Sequence, residues 1–191
     1  MSPGATFERV YRALKAQLGS GRYRPGDHLE PALLSEELNA SITPVRDALH
    51  RLVGERLVEA PRGEGFRAPY MTEVGLRHLY GWSYRLSVLA LAGPGELAIA
   101  PPSSTALGPD QLPAAIADAA ATILLAIGRS SANPEHGLAV ASVVDRLAAA
   151  RLAEATIYPA MREEVARLQG ALAGPKPAPR ALRKGRGALH R

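Results

Sequence analysis

The residues best placed to do chemistry in this 191-residue chain open one short segment, SITPVRDALHRLVG, at positions 41–54. Ser41 and Thr43 carry hydroxyls able to donate to a phosphate oxygen, and Arg46 lies one helical turn in, on the outer face. An arginine so placed can grip the O6 and N7 of a guanine with two hydrogen bonds, worth about 1–3 kcal/mol of discrimination. His50 and Arg51 lie further along, within reach of a nucleic-acid backbone. Downstream, Arg62-Gly63-Glu64-Gly65 combines a cation with Gly63 and Gly65, which let backbone approach a ligand closely, as a minor groove requires. Plainer roles exist for each residue. The two hydroxyls also suit helix capping, which is compatible with phosphate contact, and Arg46, His50 and Arg62 also suit a solvated surface.

These side chains need elements to hold them. Phe7, Val10, Tyr11, Leu14 and Leu18 form one helical stripe, with Thr6 as its expected cap and Gly19 and Gly21 as its stop. Pro25-Gly26-Asp27 marks a turn, Glu30 to Leu38 a short second helix, and Asn39-Ala40-Ser41 a tight break. A third helix runs from about Ser41 to Gly54 with Val45, Leu49, Leu52 and Val53 inward; Pro44 sits in its first turn, where a missing N–H costs little. Leu57–Ala60 and Phe66–Ala68 read as two short strands around the turn at 61–65. Helix, short turn, helix and hairpin is the plan of a winged helix-turn-helix, whose second paired helix enters the major groove by its N-terminal end.

The remainder reads as helical. A hinge at Pro69 leads to a fourth helix from Thr72 towards Leu91, and the Pro-, Gly- and Ser-rich stretch 93–113 reads as a loop. A fifth helix covers about 114–128, a sixth starts at Asn133-Pro134 and reaches about Ile157, and a seventh follows Pro159. The expected architecture is therefore mainly α: a winged helix-turn-helix domain at 1–70, a small all-helical effector or dimerisation domain at 71–173, and a basic tail at 174–191 that cannot bury apolar area and reads as disordered. Tyr80, Trp82 and Tyr84 are candidates to line an effector pocket, although aromatic residues at such spacing more often form core or dimer surface.

Composition narrows the function classes. With 47% hydrophobic and 21% charged residues the chain can bury a core, and without cysteine it has no thiol nucleophile and no thiolate zinc site. No run of about 18 uncharged apolar residues is found, so no membrane span is expected. No apolar secretory core stands at the N-terminus, so a cytoplasmic location is expected. The net charge of +5 is uneven: ten Lys/Arg against nine Asp/Glu in 1–70, seven against nine in 71–170, and six against none in 171–191. The global charge is thus weak support for nucleic-acid binding, and placement of individual residues must carry it. Enzyme signatures are missing: there is no Gly-x-Ser-x-Gly elbow or phosphate loop, and Gly93-Pro94-Gly95 lacks the flanking strand and helix of a dinucleotide site. His28, His78 and His136 are scattered without ligand spacing.

Gly-Arg-x-x-Pro-Gly-Asp-x-Leu at Gly21–Leu29, Thr43-Pro44-Val45-Arg46-Asp47-Ala48-Leu49, the pair Leu57-Val58 and the Arg62-Gly63-x-Gly65-Phe66 wing together resemble the GntR family of bacterial transcription regulators. Leu76-x-x-Leu79-Tyr80 resembles the start of the helical effector domain of the FadR subfamily. The resemblance implies a sequence-specific regulator that binds a double-stranded DNA operator, forms a homodimer on a palindromic site and is open to control by a small-molecule effector. Repression and activation both remain open. The alternative is an effector-independent module whose helical domain serves oligomerisation or a protein partner.

The chain also departs from the family pattern. Ile42 stands where members usually carry arginine, and many members also carry an arginine in the second helix near Ala32 or Leu33. In the effector domain, the positions that hold a metal in many FadR-type members fall on Ala120, Leu124 and Val165. The family's last helix has no counterpart before the basic tail. Apolar side chains offer no donor to a divalent cation, so no metal and no cofactor are expected.

Overall fold

In the computed structural model, the described residues are 3–92, 112–158 and 160–172. They form eight helices: α1 (Pro3–Gly19), α2 (Pro31–Glu37), α3 (Ile42–Gly54), α4 (Glu73–Ala92), α5 (Leu112–Arg129), α6 (Pro134–Arg146), α7 (Ala148–Ile157) and α8 (Ala160–Leu172). The chain divides into two units between Met71 and Thr72, beside the expected hinge. The stretch read as a loop at 93–111 and the basic tail lie outside the described residues.

In the first unit, Val10, Tyr11 and Leu14 of α1 share a buried core with Val45, Ala48, Leu49 and Leu52 of α3. Leu34 and Leu38 close it from the α2 side, and Leu29, Leu57 and Val58 from below the wing. Each fully buried aliphatic side chain contributes about 1.5–3 kcal/mol, so these stripes decide the packing of α1 on α3. Thr6 does not cap α1, because the helix begins at Pro3 and Thr6 lies inside it.

The wing is smaller than two regular strands. Glu59 and Arg67 exchange backbone hydrogen bonds of 2.9 Å in both directions, a single antiparallel bridge. A third segment joins, which the sequence presented only as a turn: the Leu29 N–H donates to the Phe66 carbonyl at 2.8 Å, and the Ala68 N–H to the Asp27 carbonyl at 2.9 Å. Residues 66–68 thus stand between 26–29 and 57–60 and tie the wing to the chain entering α2.

In the second unit, α5 is the central helix, with Ile116, Ala120, Ile123, Leu124 and Ile127 buried. It is 18 residues long with a mean hydropathy of 1.5, enough by length and composition to cross a bilayer, but it carries Asp118 and Arg129 and so is not an uncharged apolar run. Its buried residues, which include Ala117 and Gly128 as well, form one face packed within the unit. Leu112 and Pro113 belong to this helix and not to the preceding loop. Thr72 starts α4 as expected: its Oγ1 accepts the Gly75 N–H at 3.0 Å. Asn133 caps α6 by accepting the Glu135 N–H at 3.0 Å, with Pro134 in the first turn. The expected sixth helix is broken in two at Leu147 (φ −95°, ψ −1°), which leaves α6 and α7. Gly128 lets α5 and α6 approach: a Cβ there would lie 2.9 Å from the Val140 Cβ.

Candidate nucleic-acid interface

The turn between α2 and α3 sets where α3 begins. Asn39 adopts a left-handed conformation (φ 46°), a rotation asparagine tolerates better than most residues. The Ala40 N–H then reaches back to the Ser35 carbonyl at 3.0 Å and the Asn39 N–H to the Glu36 carbonyl at 3.2 Å, which closes α2. Arg9 of α1 clamps the same turn, donating to the Leu38 carbonyl at 2.8 Å and the Asn39 carbonyl at 3.2 Å. Ser41 follows in extended backbone (φ −71°, ψ 161°) as the residue preceding α3, and its side chain makes no capping bond.

The two faces of α3 differ sharply. Val45, Ala48, Leu49 and Leu52 are buried, while Ser41, Ile42, Thr43, Arg46, Asp47 and His50 are exposed. The side chains of Ser41, Thr43 and Arg46 form no hydrogen bond or ion pair among the described residues. Their donors face outward beside the N–H groups of the first helical turn, which have no partner within the helix. Ile42, apolar where the family resemblance expects arginine, is 41% exposed, and Leu33, near where it expects a second, is 65% exposed.

His50 and Arg51 have other engagements. The His50 ring stands edge-on to Phe66, which couples α3 to the wing. Arg51 faces α1: its guanidinium lies 4.0 Å from the centroid of the Tyr11 ring and pairs with Glu8 at 3.1 Å and with Glu55 at 3.2 Å. Arg51 thus has partners within the unit, while its side chain stays 45% exposed. Burial pushes the Glu55 carboxyl up, but hydrogen bonds from Tyr11 and Lys15 outweigh it and hold the group below its ordinary range.

At the wing tip, Gly63 and Gly65 take positive φ (79° and 74°), which a side chain would strain. Arg62 is exposed and without a side-chain partner among the described residues. Arg67 is occupied, bonded to Glu59 at 2.9 Å and Glu64 at 3.2 Å. Ser41, Thr43, Arg46, Arg62, Gly63 and Gly65 thus all belong to exposed parts of the first unit, on α3 and the wing that packs against it.

In the second unit the three aromatic candidates do not share one lining. Tyr80 is buried and donates to Glu154 at 2.6 Å, Trp82 is 47% exposed, and Tyr84 lies between these extremes. A helix turns about 100° per residue, so Trp82 cannot share the inward face of Tyr80. Ala120, Leu124 and Val165 are buried among apolar neighbours. A polar cluster that sequence reasoning missed, Tyr80, Arg151 and Glu154, lies in this unit. The signal was an arginine continuing the apolar stripe Val140, Val144, Leu147.

Residues 6–67 match the family described as bacterial regulatory proteins, gntR family. The first unit is a GntR-family domain. The HTH-type transcriptional regulator McbR of Escherichia coli (strain K12) is 36% identical over 84 residues, 44% of this chain and 38% of McbR. The HTH-type transcriptional repressor GlaR of the same organism is 34% identical over 70 residues, 37% of this chain and 32% of GlaR. The aligned stretch thus spans about a third of either relative's length. Beyond the GntR domain the likeness is one of fold. The solved structure of E. coli McbR/YncC superposes with a TM-score of 0.62 at 24% identity, covering 94% of this chain and 89% of that one. A GntR regulator from Rhodococcus sp. RHA1 gives 0.66 at 19% identity, covering 88% and 86%.

Proposed function

We propose that this chain is a non-enzymatic, cytoplasmic transcription regulator that binds a double-stranded DNA operator through the GntR domain. One observation carries this reading: Ser41, Thr43 and Arg46 point outward, uncommitted, from the start of α3, next to a wing with an exposed Arg62. The start of α3 enters the major groove, Arg46 reads a base edge, Ser41 and Thr43 hold phosphate, and the tip at Arg62, Gly63 and Gly65 lies along the minor groove. Ile42 meets bases through an apolar side chain and not a cation, which favours contact with a thymine methyl.

The regulator acts as a homodimer on a palindromic operator, with half-sites about one helical turn apart. Trp82 and Leu89, 47% and 51% exposed and seven residues apart on α4, supply apolar surface of the kind a dimer covers. The second unit responds to an effector by preferring one arrangement of the two reading heads, which shifts DNA affinity by the ligand's differential affinity for the two states. Footprinting of the full chain on fragments of its own genome tests the reading. Protection of two symmetry-related half-sites is expected, and absence of any protected duplex contradicts it.

A further inference from the structure

Arg9 of α1 reaches across to the turn that precedes α3. Its Nη1 donates to the Leu38 carbonyl at 2.8 Å and its Nη2 to the Asn39 carbonyl at 3.2 Å. Among the described residues neither carbonyl accepts another hydrogen bond. The two carbonyls belong to the peptide planes on either side of the Asn39 Cα. Each peptide unit is itself planar, so the relation between those planes is set by φ and ψ of Asn39 alone. A guanidinium is a rigid planar fork, and one that holds both oxygens restrains both dihedrals together. Asn39 is the residue where such restraint matters, because at φ 46° it occupies the left-handed region that disfavours residues other than glycine.

The base of this clamp is fixed as well. Val10, next to Arg9, is fully buried in the core that α1 shares with α3. Beyond the turn, only Ala40 and Ser41 separate Asn39 from Ile42, the first residue of α3. A change at Asn39 therefore passes to the start of α3, from which Ser41, Thr43 and Arg46 project. We infer that Arg9 is a positioning residue for operator recognition: its fork holds Asn39 in the left-handed conformation and so fixes how α3 presents Ser41, Thr43 and Arg46. Arg9 acts through the turn and not by touching DNA. This role presupposes the proposed entry of the start of α3 into the groove. Base reading needs side chains held to within about 0.5 Å, whereas attraction to phosphate tolerates misplacement. Loss of the clamp should therefore cost sequence preference and spare non-specific binding.

The test compares the full chain with Arg9→Lys and Arg9→Met on the footprinted operator and on unrelated duplex of equal length, at one salt concentration. Arg9→Lys keeps the charge but loses the fork, so long-range attraction to DNA is unchanged in that comparison. Its operator affinity should fall by at least about fivefold, the lower end of what a lost bidentate base contact costs, with unrelated duplex bound as before. Arg9→Met should lose at least as much preference. Amide exchange without DNA should quicken at Asn39 and Ala40 in both variants, while Leu49 and Leu52 in the core of α3 keep their protection. A parental ratio of operator to unrelated affinity in Arg9→Lys, an equal fall on both duplexes, unchanged exchange at Ala40, or equal quickening at Leu49 would each overturn the inference. A parent that prefers its operator alongside an unaffected Arg9→Lys removes the role of Arg9 alone. A parent with no preference for any duplex removes the reading of α3 instead, even where exchange at Ala40 shows that the fork holds the turn.

Discussion

The ring of His50 on α3 meets the ring of Phe66 on the wing edge-on, with centroids 5.0 Å apart and planes at 76°. This contact joins the two parts of the domain that are proposed to enter adjacent grooves. A double-mutant cycle with His50→Ala and Phe66→Ala should return a coupling of about 0.5–1.5 kcal/mol in urea denaturation. Phe66→Ala should also speed amide exchange at Glu59 and Arg67, whose mutual hydrogen bonds hold the wing. Strict additivity of the two substitutions would show that the rings do not support one another.

Arg51 gives a contrasting expectation. Its partners Glu8, Glu55 and Tyr11 all lie within the domain. Arg51→Ala should lower the denaturation midpoint of the first unit while leaving the operator preference of the folded protein intact. Loss of sequence preference with unchanged stability would instead assign Arg51 a direct contact with DNA.

The same cluster sets a pH dependence. The folded Glu55 carboxyl lies below its ordinary value, because hydrogen bonds from Tyr11 and Lys15 outweigh the effect of burial. The folded state therefore binds its proton less readily than the unfolded chain does. The stabilisation is fully present above the unfolded carboxylate value, about 4.3, and is lost as pH falls through the lower folded value. Thermal melts between neutral and acid pH should show this loss, and Glu55→Gln should flatten it. An unchanged acid limb in Glu55→Gln would place the effect on other carboxylates.

At the α5–α6 crossing, Gly128→Ala would put a methyl 2.9 Å from the Val140 Cβ, a branched carbon with no room to yield. The expected cost is about 1–3 kcal/mol of stability in the second unit, despite the better helix propensity of alanine. Equal or higher stability by calorimetry would mean that the helices part freely.

The elements that followed from short-range pattern were legible in the sequence: the inward stripe of α3, the cap at Thr72 and the Asn133-Pro134 start of α6. What depended on distant partners was not. Leu147 breaks a helix without glycine or proline, and it does so while continuing the apolar stripe, so periodicity ran straight through it. The 26–29 segment joins the wing by pairing with residues some forty positions away. The partners of Arg51 on α1 come into reach only when α1 is laid against α3, and the burial of Arg151 only when α7 packs against its neighbours. The departures of Ile42 and Leu33 from the family pattern were visible at once, and the structure places both on the exposed side of the domain.

The central claim is that the start of α3 reads DNA, and Arg46 is its most direct probe. Binding of the parent and of Arg46→Ala should be compared on the footprinted operator and on unrelated duplex of equal length, at one fixed salt concentration. The account predicts that Arg46→Ala loses about 1–3 kcal/mol on the operator, roughly 5- to 150-fold, with a much smaller change on unrelated duplex. Equal affinity of the two proteins for the operator would contradict it.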